Sequence, residues 1–239
     1  MSRTADRVHR EVVSYVRRSA RMNASQAKAW DAHAERWVVG VPQRETSTSI
    51  AEDASVDWDA VFGRHAPLIV EIGPGRGESL VALAERRPEA NVVAFEVFEP
   101  AVASTLSRLA RHEVENVRIV VANGAEGLER LVPAGGLHEL WTFFPDPWHK
   151  ARHHKRRLVG PELASLAASR LEPGGLWRLA TDWDDYAEWM RDTLDPHPAF
   201  ENVHDGWAPR WDERPVTKYE ARGTASGRRI RDLTYRRRP

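Results

Sequence analysis

The sequence predicts an α/β domain built on a doubly wound, mostly parallel sheet, with a helical extension in front of it. Three observations support this prediction. From Pro67 onward, short runs rich in β-branched and aromatic residues alternate with helical stretches, which is typical of parallel sheets covered on both faces. A glycine-rich turn follows the first of these runs. The last run, "IRDLTYRR", indicates an antiparallel edge strand or hairpin.

Each element follows from the spacing of its apolar residues. The predicted strands cover residues 68–72, 91–97, 117–121, 138–144 and 176–181, with an extended piece near 199–204 and a last strand near 230–237. The predicted helices cover residues 78–87, 99–111, 125–131, 161–171 and 183–194. Residues 6–37 predict one or two short helices, and the polar residues 40–60 predict a loop or linker. The chain is therefore divided into an extension, residues 1–60, and a main domain, residues 61–239.

Composition excludes several classes of protein. The 239 residues contain no cysteine, which excludes disulfides, thiol nucleophiles and cysteine-based zinc sites. No apolar run approaches the roughly 18 residues of a membrane helix, and the N-terminus lacks the apolar centre of a signal peptide. We therefore expect a soluble, cytoplasmic protein. The oligomeric state is left open, with a monomer favoured.

The charge is balanced overall but unevenly distributed. The chain has 35 basic and 35 acidic residues, which argues against a general nucleic-acid binder. Residues 150–157, however, hold five Lys/Arg and no acid, residues 1–40 hold eight and four, and residues 222–238 hold seven and one. These segments form either separate solvated surfaces or, if they lie close together in the fold, one positively charged surface that attracts a polyanion.

The stretch "EIGPGRGES" indicates a ligand site where the first strand meets the first helix. Gly73, Gly75 and Gly77 allow a tight turn and close approach of the backbone to a ligand, although glycines in such turns are often structural. Glu71 before them favours a cation over a pyrophosphate. Glu96, near the end of the second strand, is placed to accept both hydroxyls of an adenosine ribose, or lies in solvent. With these acids the pattern favours S-adenosylmethionine over NAD.

Two further residues belong to this interpretation. Asn123, just past the third strand, is a candidate to hydrogen-bond the adenine ring. Asp146 directly follows the fourth strand, so it should face the methyl donor across the site. Pro145 and Pro147 restrict the backbone on both sides of Asp146, as expected for a preorganised catalytic carboxylate, unless the stretch is an ordinary proline-rich turn.

The segment after Asp146 indicates contacts with phosphates. Lys150 is near enough to Asp146 to reach a bound nucleotide, and the candidates for contacts with a nucleic-acid backbone are Arg152, Lys155, Arg156 and Arg157. His153 and His154 are adjacent and should diverge, so no metal site is expected. "PDPW" also resembles, in scrambled order, the loop of enzymes that methylate exocyclic amines, and such an enzyme or a non-catalytic RNA-binding protein remains an alternative.

Four motifs together resemble those of one family. "EIGPGRGES", "FFPDPWHKARHHKRRLV", "ATDWDDYAEWM" and "RPVTKYEARG" are similar to successive motifs of the bacterial tRNA (guanine-N7-)-methyltransferases, and "SYVRRSARMNASQ" resembles that family's basic leader. The resemblance implies the class I S-adenosylmethionine-dependent methyltransferase fold, which is Rossmann-like, with residues 61–239 as the catalytic domain. It implies methyl transfer from S-adenosylmethionine to N7 of the variable-loop guanosine of tRNA, position 46.

The resemblance also assigns roles to individual residues. It implies that Glu71, Glu96 and Asp146 contact the methyl donor and that Asp146 is the catalytic residue. The residues it implies for the guanosine or the surrounding tRNA are Lys150, Asp182, Thr217, Lys218, Tyr219 and Glu220. One departure concerns adenine, since Gly124 stands at the position where the family usually has an acid, with Asn123 beside it.

Overall fold

A seven-stranded sheet forms the centre of the computed structural model, which describes residues 21–44 and 48–239. The strands are β1 (Leu68–Ile72), β2 (Asn91–Glu96), β3 (Val117–Val121), β4 (Leu137–Phe143), β5 (Leu171–Thr181), β6 (Phe200–Asn202) and β7 (Arg231–Arg237). Their order in the sheet is β3-β2-β1-β4-β5-β7-β6. Strands β1 to β5 pair in parallel, and β7 pairs antiparallel with both β5 and β6.

Eight α-helices of the described residues accompany the sheet. They are α1 (Ala24–Trp37), α2 (Trp58–Phe62), α3 (Glu78–Glu85), α4 (Glu99–His112), α5 (Gly124–Leu131), α6 (Pro161–Arg170), α7 (Asp184–Leu194) and α8 (Lys218–Ala225). A 3₁₀ helix covers Ala151–Arg156. Among these residues no helix has the length and apolar character that crossing a membrane requires.

The core lies on both faces of the sheet because side chains alternate along each strand. On β1, Val70 and Ile72 join one apolar cluster with residues of α5, α6 and α7, whereas Ile69 joins the other cluster with residues of α1, α3 and α4. A doubly wound sheet is therefore confirmed. Since β1 leads to β2 on one side and lies beside β4 on the other, the strand order reverses between β1 and β4, where ligands bind in folds of this kind.

The predicted antiparallel edge is present and is two strands wide. β7 is the last strand in the chain, but β6 lies outside it in the sheet. β5 begins at Leu171, five residues before the predicted start, because Leu171 pairs with Leu137 and the following "EPGG" turn bulges out before pairing resumes at Leu176.

The N-terminal part of the described chain packs closely on the main domain. Helix α1 starts with a capping box between Asn23 and Gln26, and the Gln26 side chain donates to Pro100 O on α4 at 2.9 Å. Trp37 is fully buried and donates to Val114 O at 3.0 Å. The helix prediction for residues 6–20 lies outside the described residues, and the division of the chain at residue 60 stays a prediction.

The predicted linker is not entirely a loop. Helix α2 begins at Trp58, whose buried indole donates to Leu131 O at 2.6 Å, and Asp57 caps the helix by accepting from Ala60 N. The sequence prediction missed this element because the helix has only five residues, three of which fall in the segment predicted to be a loop.

Candidate active site

The loop between β1 and α3 turns on three glycines in the left-handed region. The φ angle is +72° at Gly73, +57° at Gly75 and +73° at Gly77, which other residues rarely adopt. A Cβ at Gly77 would lie 2.5 Å from Thr105 of α4, so this glycine allows the loop to pack on the helix. A Cβ at Gly73 or Gly75 would meet no atom within 4 Å. The loop therefore presents bare backbone to open space.

That open space is a cavity of about 350 Å³ lined by three separate segments. One is the glycine loop, the second is the end of β4 with Phe143 and Phe144, and the third is the start of α8. Because β1 and β4 are neighbours in the sheet, the cavity lies where the strand order reverses. The residues predicted from the sequence that line it are Glu71, Gly73, Gly75, Thr217, Lys218 and Tyr219.

Glu71 supplies a buried carboxylate to this cavity. The residue is 2% exposed, and its Oε2 has no hydrogen-bond partner among the described residues. Burial raises the pKa of Glu71 to about 8, the nearby charge of Glu96 adds to the rise, and Arg214 opposes it. A buried carboxylate without a partner is costly, and a bound cation would relieve that cost. The site therefore fits a cationic ligand such as S-adenosylmethionine.

Glu96 holds the glycine loop in place at the end of β2. Its Oε2 accepts from Gly75 N at 3.0 Å and its Oε1 accepts from Phe98 N at 2.9 Å. Burial raises the pKa of Glu96, these backbone N–H groups oppose the rise, and the charge of Asp146 adds to it. A carboxylate has about four acceptor positions, so two hydrogen bonds leave room for hydroxyl donors.

The loop after β4 has an unusual backbone. Phe144 has a φ of +51° and Trp148 a φ of +46°, and such conformations cost about 1–3 kcal/mol each in residues other than glycine. They lie on either side of Asp146, so the backbone is strained where the sequence predicts the catalytic carboxylate. Asp146 itself is exposed and has no hydrogen bond or ion pair with the described residues.

Asp146 lies within electrostatic range of both sides of the cavity. Besides its effect on Glu96, its charge contributes to the raised pKa of Tyr219 on α8, for which burial is the main cause. Tyr219 is 47% exposed, and its ring centroid lies 5.4 Å from that of Phe144. This arrangement leaves an aromatic ring accessible beside the carboxylate.

Asp182 approaches the same region from the end of β5. It is 5% exposed, its Oδ1 accepts from the Tyr219 hydroxyl at 3.4 Å, and its Oδ2 lies 3.2 Å from Nη1 of Arg228 in an ion pair without hydrogen-bond geometry. Asp182 and Tyr219 are thus brought together by the fold. The partner of Asp182 could not be read from the sequence, where Arg228 resembles part of a basic tail.

Helix α8 is fixed to the site by its first turn. Thr217 is its N-cap and accepts from Glu220 N at 3.1 Å, and Lys218 N donates to Glu78 Oε2 at 2.7 Å. Thr217 therefore orients the helix, and the Lys218 side chain is exposed. The predicted roles of both residues toward the substrate stay predictions.

The expectation that Glu220 contacts the substrate does not agree with its position. Glu220 is 3% exposed and accepts from Arg214 at 2.7 Å and from Arg210 at 3.0 Å. Arg214, 1% exposed, also donates to Asp232 at 2.9 and 3.1 Å. Its guanidinium carbon lies 5.2 Å from the centre of the Phe144 ring. Glu220 thus anchors α8 through a buried ion network that supports the cavity wall.

The basic segment after Asp146 divides into exposed and buried residues. Lys150, Arg152 and Lys155 are exposed, and Arg156 is half-buried with its guanidinium carbon 5.0 Å from the centre of the Trp148 ring. These positions agree with a surface for phosphates.

Arg157 does not belong to that surface. Its side chain is 1% exposed, donates to Pro147 O at 3.0 Å, pairs with Asp185 and lies over the ring of Tyr186. The expectation that Arg157 contacts a nucleic-acid backbone is therefore corrected, because the guanidinium is used to hold the Asp146 loop on α7. The carbonyl of Pro147 is the direct link between Arg157 and that loop.

Asn123 lies at the N-cap of α5. Its Oδ1 accepts from Ala125 N at 2.9 Å and Glu126 N at 3.3 Å. Its carboxamide oxygen therefore caps a helix, and a contact with adenine stays a prediction.

The C-terminal arginines have intramolecular partners that sequence reasoning missed. Arg231 pairs with Asp184, and Arg236 pairs with Glu201, each at 3.0 Å. No group of three or more metal-ligating residues occurs in the described part of the chain.

Comparisons with known proteins identify the family of this chain. The family described as "Putative methyltransferase" matches residues 65–233. A tRNA (guanine-N(7)-)-methyltransferase of Cutibacterium acnes is 53% identical over 238 residues, which cover 98% of this chain and 86% of that protein. A protein of the same name from Nocardioides sp. is 51% identical over 236 residues, covering 98% of this chain and 91% of that protein.

Solved structures share the fold at low sequence identity. The 16S rRNA methyltransferase KamB is 19% identical with a TM-score of 0.56, and the match covers 83% of this chain and 98% of that one. The 16S rRNA (adenine(1408)-N(1))-methyltransferase of Catenulisporales acidiphilia is 17% identical with a TM-score of 0.52, covering 84% and 99%. These likenesses support the methyltransferase fold, and the full-length relatives show the family. The chain belongs to the tRNA (guanine-N(7)-)-methyltransferases.

Proposed function

We propose that this protein transfers the methyl group of S-adenosylmethionine to N7 of the variable-loop guanosine of tRNA, position 46. The names of relatives that match nearly the whole chain support the reaction. The observation that carries the proposal is the cavity in which a partnerless buried carboxylate and a bare glycine loop face an aromatic ring of α8. The expected cytoplasmic location and monomeric state stay predictions.

The donor side of the cavity suits a cationic nucleoside. On this proposal Glu71 faces the positive charge of the donor, and Glu96 accepts from the ribose hydroxyls. Gly73 and Gly75 allow the donor to lie directly against the backbone. When bound, S-adenosylmethionine supplies an electrophilic methyl group on a sulfonium.

The chemistry requires no general base. The N7 lone pair of guanine attacks the methyl carbon as the carbon–sulfur bond breaks, and the bonding electron pair stays on sulfur. The products are S-adenosylhomocysteine and a cationic 7-methylguanosine, so positive charge moves onto the base. A carboxylate near the edge of the base stabilises that charge in the transition state. We infer this role for Asp146, which has no hydrogen bond or ion pair with the described residues.

The acceptor side supplies groups that select guanine. On this proposal Asp182 accepts from guanine N1–H and N2–H₂, which become stronger donors as the ring gains charge. Tyr219 offers an exposed ring beside Phe144 on which a base can stack, since every base has a π-face. An adenine lacks both of those donors, so the same carboxylate disfavours it.

The ionisation of Glu71 predicts a pH-dependent affinity for the donor. Its folded pKa of about 8 lies above the ordinary value of 4.5, so the ligand-free protein keeps a proton that the unfolded chain has lost. The part of the folding stability that depends on this proton is greatest below about pH 4.5, and it decreases as the pH rises toward 8. We expect the affinity for S-adenosylmethionine to increase from pH 6 to pH 8, measured by calorimetry.

Glu71→Gln is the matched control for that prediction. Glutamine cannot ionise, so the variant should bind the donor more weakly and lack the wild-type gain in affinity with pH. Its melting temperature relative to wild type should rise from pH 5.5 to pH 9, because only wild type acquires a buried charge. If donor affinity and melting temperature changed with pH in the same way in wild type and variant, this role of Glu71 would be contradicted.

The exposed basic residues after Asp146 predict salt-dependent tRNA binding. Replacing Arg152, Lys155 and Arg156 by Ala should weaken binding and reduce the slope of log K against log salt by about 2 to 3, since each lost phosphate contact removes about 0.7–0.9. Filter binding over a salt series measures this slope. An unchanged slope would place the segment outside the interface.

The proposed reaction is tested by incubating the protein with S-adenosylmethionine and unmodified tRNA and identifying the nucleosides after digestion by mass spectrometry. The expected product is 7-methylguanosine, absent when the variable-loop guanosine is replaced by adenosine. A methylated exocyclic amine would instead favour the alternative enzyme class. Retained binding of S-adenosylhomocysteine and tRNA without any methylated nucleoside would favour a non-catalytic RNA-binding protein.

A further inference from the structure

A second cavity lies between the start of α1 and one face of α4. It has a volume of about 210 Å³, and its basic lining residues are Arg76, Arg108 and Arg111. The other lining residues are polar and include Ser25, Ser104 and Ser107, but no carboxylate. A small concave site with three guanidinium groups and no acid in its wall favours an anion.

Two of the three arginines have no partner in the described part of the chain. Arg76 and Arg111 are exposed and make no hydrogen bond or ion pair through their side chains there. Arg108 is occupied, since it donates to Arg76 O and to Glu78 at 3.0 Å each. Arg108 thus fixes the position of the Arg76 backbone, while the guanidinium groups of Arg76 and Arg111 keep their donors for a ligand.

Helix α1 adds further donors to the same cavity. The helix is 14 residues long, and Ser25 in its first turn lines the cavity. Its first turn contains no acidic residue. The Asn23 side chain caps Gln26 N, whereas the N–H groups of Ala24 and Ser25 have no acceptor among the described residues. Free N–H groups at a helix start and unpaired guanidinium groups together match the oxygens of a phosphate.

The position of this cavity links it to the active site. Arg76 stands between Gly75 and Gly77, and it lines both this cavity and the larger donor cavity. Glu78 accepts from Arg108 and also from Lys218 N at the start of α8. An anion held here would therefore lie beside the substrate entering the active site. A bound RNA supplies such an anion, because one of its phosphodiesters can occupy this cavity while a nucleotide of the same RNA occupies the active site.

We propose that the cavity between α1 and α4, named here the α1–α4 cavity, binds a backbone phosphate of the RNA substrate. The inference rests on the proposed function, because the phosphate is taken to belong to that RNA. Such a contact fixes the orientation of the RNA without reading its sequence. It would place part of the interface beside α1 and α4, whereas the basic segment after Asp146 packs beside α7.

Arg111→Gln tests the proposal, with Arg36→Gln as the matched control. Arg111 has no internal partner to lose, and Arg36 lies at the other end of α1 in an exposed pair with Glu115, so each change removes one surface charge. Filter binding with unmodified tRNA should show a slope of log K against log salt reduced by about 0.7–0.9 in Arg111→Gln only. At 0.1 M salt the affinity should fall about fivefold to eightfold by the same relation, with KM for tRNA changing more than kcat.

Three outcomes separate this inference from the proposed function. Equal slopes for Arg111→Gln and Arg36→Gln, with 7-methylguanosine formed, would overturn the phosphate site and leave the reaction standing. A reduced slope without 7-methylguanosine from wild type would support the site and overturn the reaction. Stabilisation of wild type but not Arg111→Gln by millimolar inorganic phosphate, without any change in RNA slope, would overturn the RNA site in favour of a free anion.

Discussion

Asp146→Ala is expected to lower kcat by about 10²–10³-fold while tRNA affinity changes by less than about threefold. The carboxylate is proposed to act on charge that develops only in the transition state, so its loss should affect turnover and not ground-state binding. Single-turnover methylation at saturating donor and tRNA measures the first quantity, and filter binding measures the second. Asp146→Asn should show a similar loss, because the amide keeps the shape and not the charge.

Asp205→Ala provides a matched control for that result. Asp205 is also an exposed acid in a loop, but it follows β6, whereas Asp146 follows the end of β4 that lines the donor cavity. Its substitution should leave both turnover and binding near wild type. Equal losses of turnover and tRNA affinity in Asp146→Ala would show that Asp146 serves binding and not the chemical step.

Arg214→Ala is expected to destabilise the protein by about 3–5 kcal/mol. The change would leave the buried carboxylates of Glu220 and Asp232 without their shared partner, and an uncompensated buried charge costs about that much. For a domain of this size the melting temperature should fall by about 10 °C. Calorimetric and urea unfolding at pH 7 measure the loss.

A double variant distinguishes stranded charge from lost packing. Arg214→Ala combined with Asp232→Asn should recover part of the stability lost in Arg214→Ala, because one of the stranded carboxylates is gone. Burial already raises the pKa of Asp232 and Arg214 opposes that rise, so Arg214→Ala alone should also be more stable at lower pH relative to wild type. Strictly additive losses in the double variant would contradict the network.

The sheet was largely predictable because parallel strands that are covered on both faces carry continuous apolar runs. β1 and β3 begin and end where "LIVEI" and "VRIVV" do. The bulge in β5 and the helix α2 were not predictable, since the first depends on pairing with β4 and the second on burial of Trp58. The local sequence pattern predicts the positions of strands well, but it predicts contacts between distant segments poorly.

The candidate site was predictable where local chemistry is distinctive. The glycine loop and Glu71 could be read from one strand–turn–helix pattern and Glu96 from the end of the next strand, and the prolines drew attention to Asp146. Arg157 was assigned to a nucleic-acid backbone because charged residues in basic segments usually lie at the surface, and Glu220 was assigned to the substrate on the family resemblance of its motif alone. Their burial depends on partners on other elements.

Arg214 was missed for the same reason. It bonds to Asp232 on β7, 18 residues further along the chain, and no spacing in the sequence indicates that pair. The resemblance covered the motif "RPVTKYEARG" without separating the residues that face a substrate from those that hold α8. Only the fold shows that Thr217 and Glu220 fix the helix while Tyr219 faces the cavity.

The most direct test of the central claim replaces the variable-loop guanosine of the tRNA with 7-deazaguanosine. This analogue keeps the Watson–Crick edge of guanine but has a carbon in place of N7. The account predicts that the substituted tRNA binds with nearly unchanged affinity and accepts no methyl group at that position. Methyl incorporation at the substituted nucleotide would contradict attack by N7 and indicate an exocyclic amine as the acceptor.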